Sequence, residues 1–134
     1  MSAINGPGIP KPSPWLSPAI LSGSTLYISG QCGVDPVSGE FLKGTVQDRT
    51  AQALKNVEAT LRAAGMGLEN IVATTIYLSN YKRDFNDMNQ AYIAGLSKTD
   101  KPLPSRTCIG VANLPKDTDV EITVIAAKEP KAKL

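Results

Sequence analysis

SRTCIGVANLPKDTDVEITVI, residues Ser105 to Ile125, sets two charged side chains inside runs that otherwise read as β-strand. Successive strand side chains point to opposite faces, so Arg106, Cys108 and Gly110 share one face, and Thr107, Ile109 and Val111 share the other. After the break at Asn113 to Asp117 the alternation resumes. Val120, Ile122, Val124 and Ala126 form an apolar face, with Glu121, Thr123 and Ile125 opposite. Glu121 is the one carboxylate in this second run. An Arg and a Glu on neighbouring strands are usually solvent-facing or paired with each other. Two features point beyond that reading. Gly110 leaves room on the Arg106 face for something to approach the backbone. Pro102-Leu103-Pro104 stiffens the chain just before the strand and fixes where the guanidinium points. Arg106 and Glu121 are therefore the candidate functional pair, expected to converge on one small anionic ligand.

Composition narrows the chemistry. A chain of 134 residues fits one domain. An extended proline-rich arm is expected over residues 1–14 and a basic tail over 129–134. The net charge is +2 with both signs dispersed, so the surface lacks the footprint of a dedicated nucleic-acid binder. Lys128, Lys131 and Lys133 read as a solvated end. Two cysteines, Cys32 and Cys108, make no disulfide framework and have no metal-site spacing, which fits a reducing compartment. With no apolar leader and no membrane-length apolar run, a soluble cytoplasmic protein is expected, a mitochondrial form being left open. The chain has no histidine. That removes Ser-His-Asp and Cys-His nucleophilic machinery, histidine acid-base chemistry and histidine zinc sites together.

Pro7, Pro10, Pro12 and Pro14, followed by Pro18, forbid a helix or central strand near the N-terminus. Trp15, the single tryptophan, either pins this arm to the body or walls a pocket. Ala19–Leu21 and Thr25–Ser29 flank Ser22-Gly23-Ser24 and read as a hairpin. Gly30, at the end of the second strand, marks a bulge or a close backbone approach, or merely the strand's end. Thr45-x-x-Asp48 resembles a capping box and opens a helix with the stripe Leu54, Val57, Leu61 and Ala64, stopped by Gly65 and Gly67. Ile71–Leu78 is a strand, with Val72, Thr74, Ile76 and Leu78 on one face and Ile71, Ala73, Thr75 and Tyr77 on the other. A second helix is expected over Arg83–Leu96, with Phe85, Met88 and Tyr92 as its buried stripe and Asn89 at the edge of that stripe. The order hairpin, helix, strand, helix, strand, strand predicts an α+β domain with a mixed sheet. Right-handed crossovers put both helices on one face. Several strands are apolar on both faces, so another copy of the chain is expected to cover the other.

The block PSRTCIGVANLPKDTDVEI resembles the signature of the Rid proteins, the reactive intermediate deaminases or YjgF-like family, also described as translation inhibitors or perchloric-acid-soluble ribonucleases. ISGQ (Ile28–Gln31), LKNVEATLRAAG, ENIVATTIYL and FNDMNQAY extend the resemblance from about Trp15 to Lys128. It implies a chorismate-mutase-like fold with a six-stranded mixed sheet and two helices on one face. It also implies a homotrimer whose sheets enclose a barrel, with ligand sites in clefts between subunits. In the family the position of Arg106 binds the substrate carboxylate, which the backbone at Cys108 also contacts. Glu121 holds a water, and Asn89, Ser29 and Gly30 line the cleft. Ser13-Pro14-Trp15 stands where many members carry a tyrosine, and an indole does not replace a phenol that helps orient water. Either Glu121 suffices here, or this member is slower or takes other substrates, with Trp15 as the arm's contribution to the cleft.

The implied reaction is hydrolysis of 2-imino acids to 2-oxo acids and ammonia, without metal or cofactor. Imines hydrolyse spontaneously, so such a site works by proximity and electrostatics. A guanidinium meets a planar carboxylate through two parallel hydrogen bonds, which lysine cannot do. Two other classes share the same residues. One is an endoribonuclease, poorly supported without histidine, a basic groove or aromatics for stacking bases. The other is a non-catalytic binder of small metabolites, which Arg106 would serve equally well.

Overall fold

A computed structural model describes residues 1–129. Its elements are β1 (Ser2–Ile4), β2 (Ala19–Ser22), β3 (Thr25–Gln31), α1 (Val46–Ala63), β4 (Ile71–Leu78), α2 (Tyr81–Leu96), β5 (Ser105–Gly110) and β6 (Val120–Ala127). The strands form one six-stranded sheet in the order β1-β2-β3-β6-β4-β5. All pairs are antiparallel except β4 and β5, which run parallel across the α2 crossover. The fold class is the expected one, α+β with both helices on one face. The sixth strand is β1, a three-residue edge strand inside the arm, too short to carry a periodicity that the sequence would reveal. Of the basic tail, residues 130–134 lie outside the described residues.

Local signals act where they were read. Thr45 caps α1 with a reciprocal capping box: its hydroxyl accepts from the Asp48 N–H at 3.2 Å, and the Asp48 carboxylate accepts from the Thr45 N–H at 2.9 Å. The helix ends at Gly65, whose φ of 72° is the left-handed conformation that glycine adopts at no steric cost. Leu54, Val57, Leu61 and Ala64 are buried as a stripe. They pack with Leu26, Ile28, Ile76, Leu78, Met88, Tyr92 and the inward face of β6 into one core between helices and sheet. Each large aliphatic side chain taken out of water there contributes about 1.5–3 kcal/mol.

Two expectations need correction. At the start of β4 the register slips between Ile71 and Ala73, so Ile71 is buried and Val72 exposed, the reverse of strict alternation. On α2, Met88 and Tyr92 are buried, whereas Phe85 is only half-buried. Asp84 is buried instead, its charge met by Arg83 through a two-pronged contact at 2.9 Å on each oxygen.

The face of the sheet away from the helices exposes Tyr27, Ile109 and Ile125. Tyr27 and Ile125 are direct neighbours across β3 and β6, and Ile109 lies further along on the edge strand β5, level with Tyr77. No helix of the described chain is long and apolar enough to cross a membrane.

Candidate functional site

The sheet register places Arg106 and Glu121 on opposite faces. Arg106 lies level with Thr74, which lies level with Val124, and both of these point into the core beneath the helices. Glu121 is three residues from Val124 along β6 and level with Tyr77, so its side chain leaves on the other face. Within one chain the two side chains therefore do not meet. Side-chain alternation along two strands cannot reveal how their faces correspond until pairing fixes the register.

Arg106 sits on β5, the edge strand next to α2. Its Nη1 donates to Asn89 Oδ1 at 2.5 Å. Its guanidinium carbon lies 4.9 Å from the centroid of the Tyr92 ring and 5.7 Å from that of Phe85, within range of cation–π attraction. Tyr92 is itself fixed, its hydroxyl 2.8 Å from Thr74 Oγ1. Burial pushes the Tyr92 phenol up, with the Thr74 bond and the Arg106 charge pulling the other way. Asn89, at the edge of the α2 stripe, thus meets the candidate arginine directly. The half-buried guanidinium makes no ion pair with any carboxylate of the described residues. Cys108 lies on the same face, half-buried against the core, its thiol pushed up by burial and drawn down by Arg106. Gly110 does admit a close approach, but from within the chain: a Cβ there would lie 3.2 Å from the Tyr81 Cβ.

On the other face, Glu121 rests on Gly30. A Cβ at Gly30 would lie 2.7 Å from the Glu121 carboxyl carbon, so only glycine allows the carboxylate this position. The register of β3 against β6 shifts between Ile28 and Gln31, so Gly30 is both bulge and close approach. Ser29 braces this corner: its hydroxyl donates to the Ser17 carbonyl at 2.7 Å and its N–H to the Pro18 carbonyl at 2.9 Å. Ser29, Gly30, Cys32 and Glu121 line a cleft of about 460 Å³, walled on the arm side by Pro10–Ser13 and Leu16. Trp15 does not line it and stands 82% exposed. Nor does Trp15 pin the arm. That role falls to the buried Ile9 and to Gly6 and Gly8, which face Ala63 and Ala59 of α1.

Three contributors escaped the sequence reading. Leu16, not its neighbour Trp15, faces the cleft. Arg49 of α1 grips Asp119, two residues before Glu121, through Nε at 2.8 Å and Nη2 at 2.6 Å, and so ties the start of β6 to the helix. The third is Cys32, whose Sγ lies 3.6 Å from Glu121 Oε1. Pairings across 70 and 89 residues leave no mark in local pattern.

Burial, then the Glu121 charge and the bond to it, push the Cys32 thiol up to about 12. The native chain therefore holds this proton more tightly than the unfolded chain, where the thiol titrates near 9.0. The resulting stabilisation is complete below pH 9 and is lost as pH rises toward 12. Across that window the stability of the wild type relative to Cys32→Ser is expected to fall by about 1.4 kcal/mol per pH unit. Urea unfolding of both proteins at several alkaline pH values checks this, and a constant difference would contradict it.

Comparison with known proteins bears on this geometry. The family model described as Endoribonuclease L-PSP matches residues 9–128. A RutC family protein of Pyrococcus horikoshii is 41% identical over 120 residues, covering 90% of this chain and 92% of its own. The human 2-iminobutanoate/2-iminopropanoate deaminase is 38% identical over 130 residues, covering 97% and 90%. Among solved structures, Escherichia coli TdcF with bound serine superposes with a TM-score of 0.91 at 31% identity, covering 96% of this chain and all of that one. The E. coli YjgF gene product gives the same values. With its six-stranded mixed sheet, two helices and signature block, the chain belongs to the endoribonuclease L-PSP family, the Rid or YjgF-like proteins.

Proposed function

We propose that this protein hydrolyses small 2-imino acids to 2-oxo acids and ammonia, in clefts formed between copies of the chain in a homotrimer. The observation that carries this reading is Arg106. It is a half-buried guanidinium without a carboxylate partner among the described residues, held in place by Asn89, Tyr92 and Phe85. Leaving a cation so placed without a counter-ion is costly unless an anion comes to it. A 2-imino acid brings a planar carboxylate that the remaining N–H groups of the fork can grip. The Cys108 main chain, on the same edge strand, supplies a further contact to that carboxylate. The kinship with a 2-iminobutanoate/2-iminopropanoate deaminase and with TdcF, which binds serine, favours such a ligand.

Glu121, Ser29 and Gly30 face the second half of the cleft. Because Arg106 and Glu121 leave opposite faces of one sheet, the ligand meets Arg106 of one copy and Glu121 of the next. Glu121 holds a water whose oxygen adds to C2 while the C=N electron pair moves to nitrogen. The carboxylate passes one proton of the water to the nitrogen, giving a carbinolamine, and then carries the remaining hydroxyl proton to the nitrogen as the C2 oxygen forms its carbonyl, the C–N bond breaks and ammonia leaves. Nothing more than proximity and one proton shuttle is asked of the site.

The exposed apolar face with Tyr27, Ile109 and Ile125 is the surface that a second copy buries. Light scattering at micromolar concentration is expected to return three copies of the 14.2 kDa chain. A stable monomer would overturn both the assembly and the shared cleft. Ammonia release from 2-iminobutanoate, generated in situ by a pyridoxal-phosphate dehydratase, tests the activity. It should be faster with the protein than without, and an unchanged rate would leave a binding role only.

A further inference from the structure

We infer that Cys32 is a positioning residue for Glu121: its thiol donates to Oε1 and so orients the carboxylate, leaving Oε2 for the water. This inference rests on the hydrolase reading above. Among the described residues Cys32 is the one hydrogen-bond donor that reaches the Glu121 carboxylate, at 3.6 Å, a normal distance for sulfur. The loop that carries the thiol is held against α1. Asn56 of α1, 1% exposed, donates through Nδ2 to the carbonyls of Cys32 at 3.1 Å and Val34 at 2.9 Å. Gln52 in turn donates to Asn56 Oδ1 at 2.9 Å, which fixes the amide's orientation. Between the two held carbonyls, Gly33 is pressed on α1 so closely that a Cβ would stand 2.6 Å from the Arg49 Cα. The loop is thus clamped to the helix, which fixes the Cys32 backbone beside the carboxylate and leaves only the χ1 rotation of its side chain.

Gly30 also confines Glu121, its backbone passing close against the same carboxylate that the thiol meets. Burial keeps the sulfur protonated through the neutral range, so it acts as a donor and not as a nucleophile. A thiol is a weak donor, but a charged acceptor strengthens the bond. The effect belongs to orientation of the water and therefore to turnover rather than to ligand affinity.

Two variants separate positioning from packing. Cys32→Ser keeps a donor and loses size, whereas Cys32→Val keeps an apolar filling of similar size and loses the donor. Cys32→Val is expected to lower kcat for 2-iminobutanoate hydrolysis roughly tenfold, with 2-oxobutanoate affinity unchanged, while Cys32→Ser stays close to the wild type. The reverse order, with valine the better replacement, would reduce Cys32 to core packing and overturn the inference while the hydrolase reading stands.

A second measurement needs no catalysis. In the infrared difference spectrum of wild type minus Cys32→Ser, the S–H stretch of Cys32 should shift when Glu121→Ala is introduced into both proteins. An unmoved band would show that no such bond exists. A wild type inactive on the imine would remove the hydrolase reading and this role with it, whatever the spectrum shows.

Discussion

Replacing Arg106 with lysine is expected to abolish most imine hydrolysis and to weaken 2-oxobutanoate binding by about 2–5 kcal/mol, the usual loss when one partner of a buried charge pair is truncated. The reason lies in what holds the guanidinium. One donor is already committed to Asn89, and the guanidinium carbon lies within cation–π range of both the Tyr92 and Phe85 rings. The fork keeps further N–H groups coplanar for a carboxylate. An ammonium in the same place satisfies Asn89 or the ligand but does not present two parallel donors, and it stacks less well on the rings. Titration calorimetry with 2-oxobutanoate measures the loss. Unchanged affinity and turnover in Arg106→Lys would place the site elsewhere in the molecule.

Glu121→Gln is expected to leave 2-oxobutanoate affinity within a few-fold of the wild type and to slow turnover on the order of a hundredfold, the scale of a lost general base. Glutamine fills the same space above Gly30, where no Cβ competes with it, so the cleft should keep its shape. It can still accept a hydrogen bond from Cys32 but cannot take the water's proton. Paired kcat and calorimetry measurements check this. A parallel loss of affinity and rate would make Glu121 a ligand anchor instead of a water handler.

Much of the fold could be read from short-range chemistry. The Thr45 and Asp48 capping box, the Gly65 stop and the stripe Leu54, Val57, Leu61 act within a turn or two of helix, and they stand where the pattern puts them. Gly30 was read as a bulge or a close approach, and it is both. The failures share a cause, since each depends on a partner distant in sequence. The slip at Val72 arises from pairing with β6, and β1 exists only because β2 offers it an edge. Gly110 was rightly read as making room, but the occupant is Tyr81 of the same chain. The candidate residues Arg106, Asn89 and Glu121 were found by type and local pattern. That Arg106 and Asn89 touch, while Glu121 faces away from both and toward Cys32, follows only from strand register and tertiary packing.

That separation of Arg106 and Glu121 onto two faces is the centre of the account, and mixed trimers test it most directly. Subunits carrying Arg106→Ala and subunits carrying Glu121→Gln, each nearly inactive alone, would be unfolded together and reassembled in equal amounts. If each cleft takes Arg106 from one copy and Glu121 from the next, every mixed trimer regains one intact site, and random assembly should restore about a quarter of wild-type activity. No recovery, from trimers shown by light scattering and mass spectrometry to be mixed, would mean that the two residues do not meet across a subunit boundary.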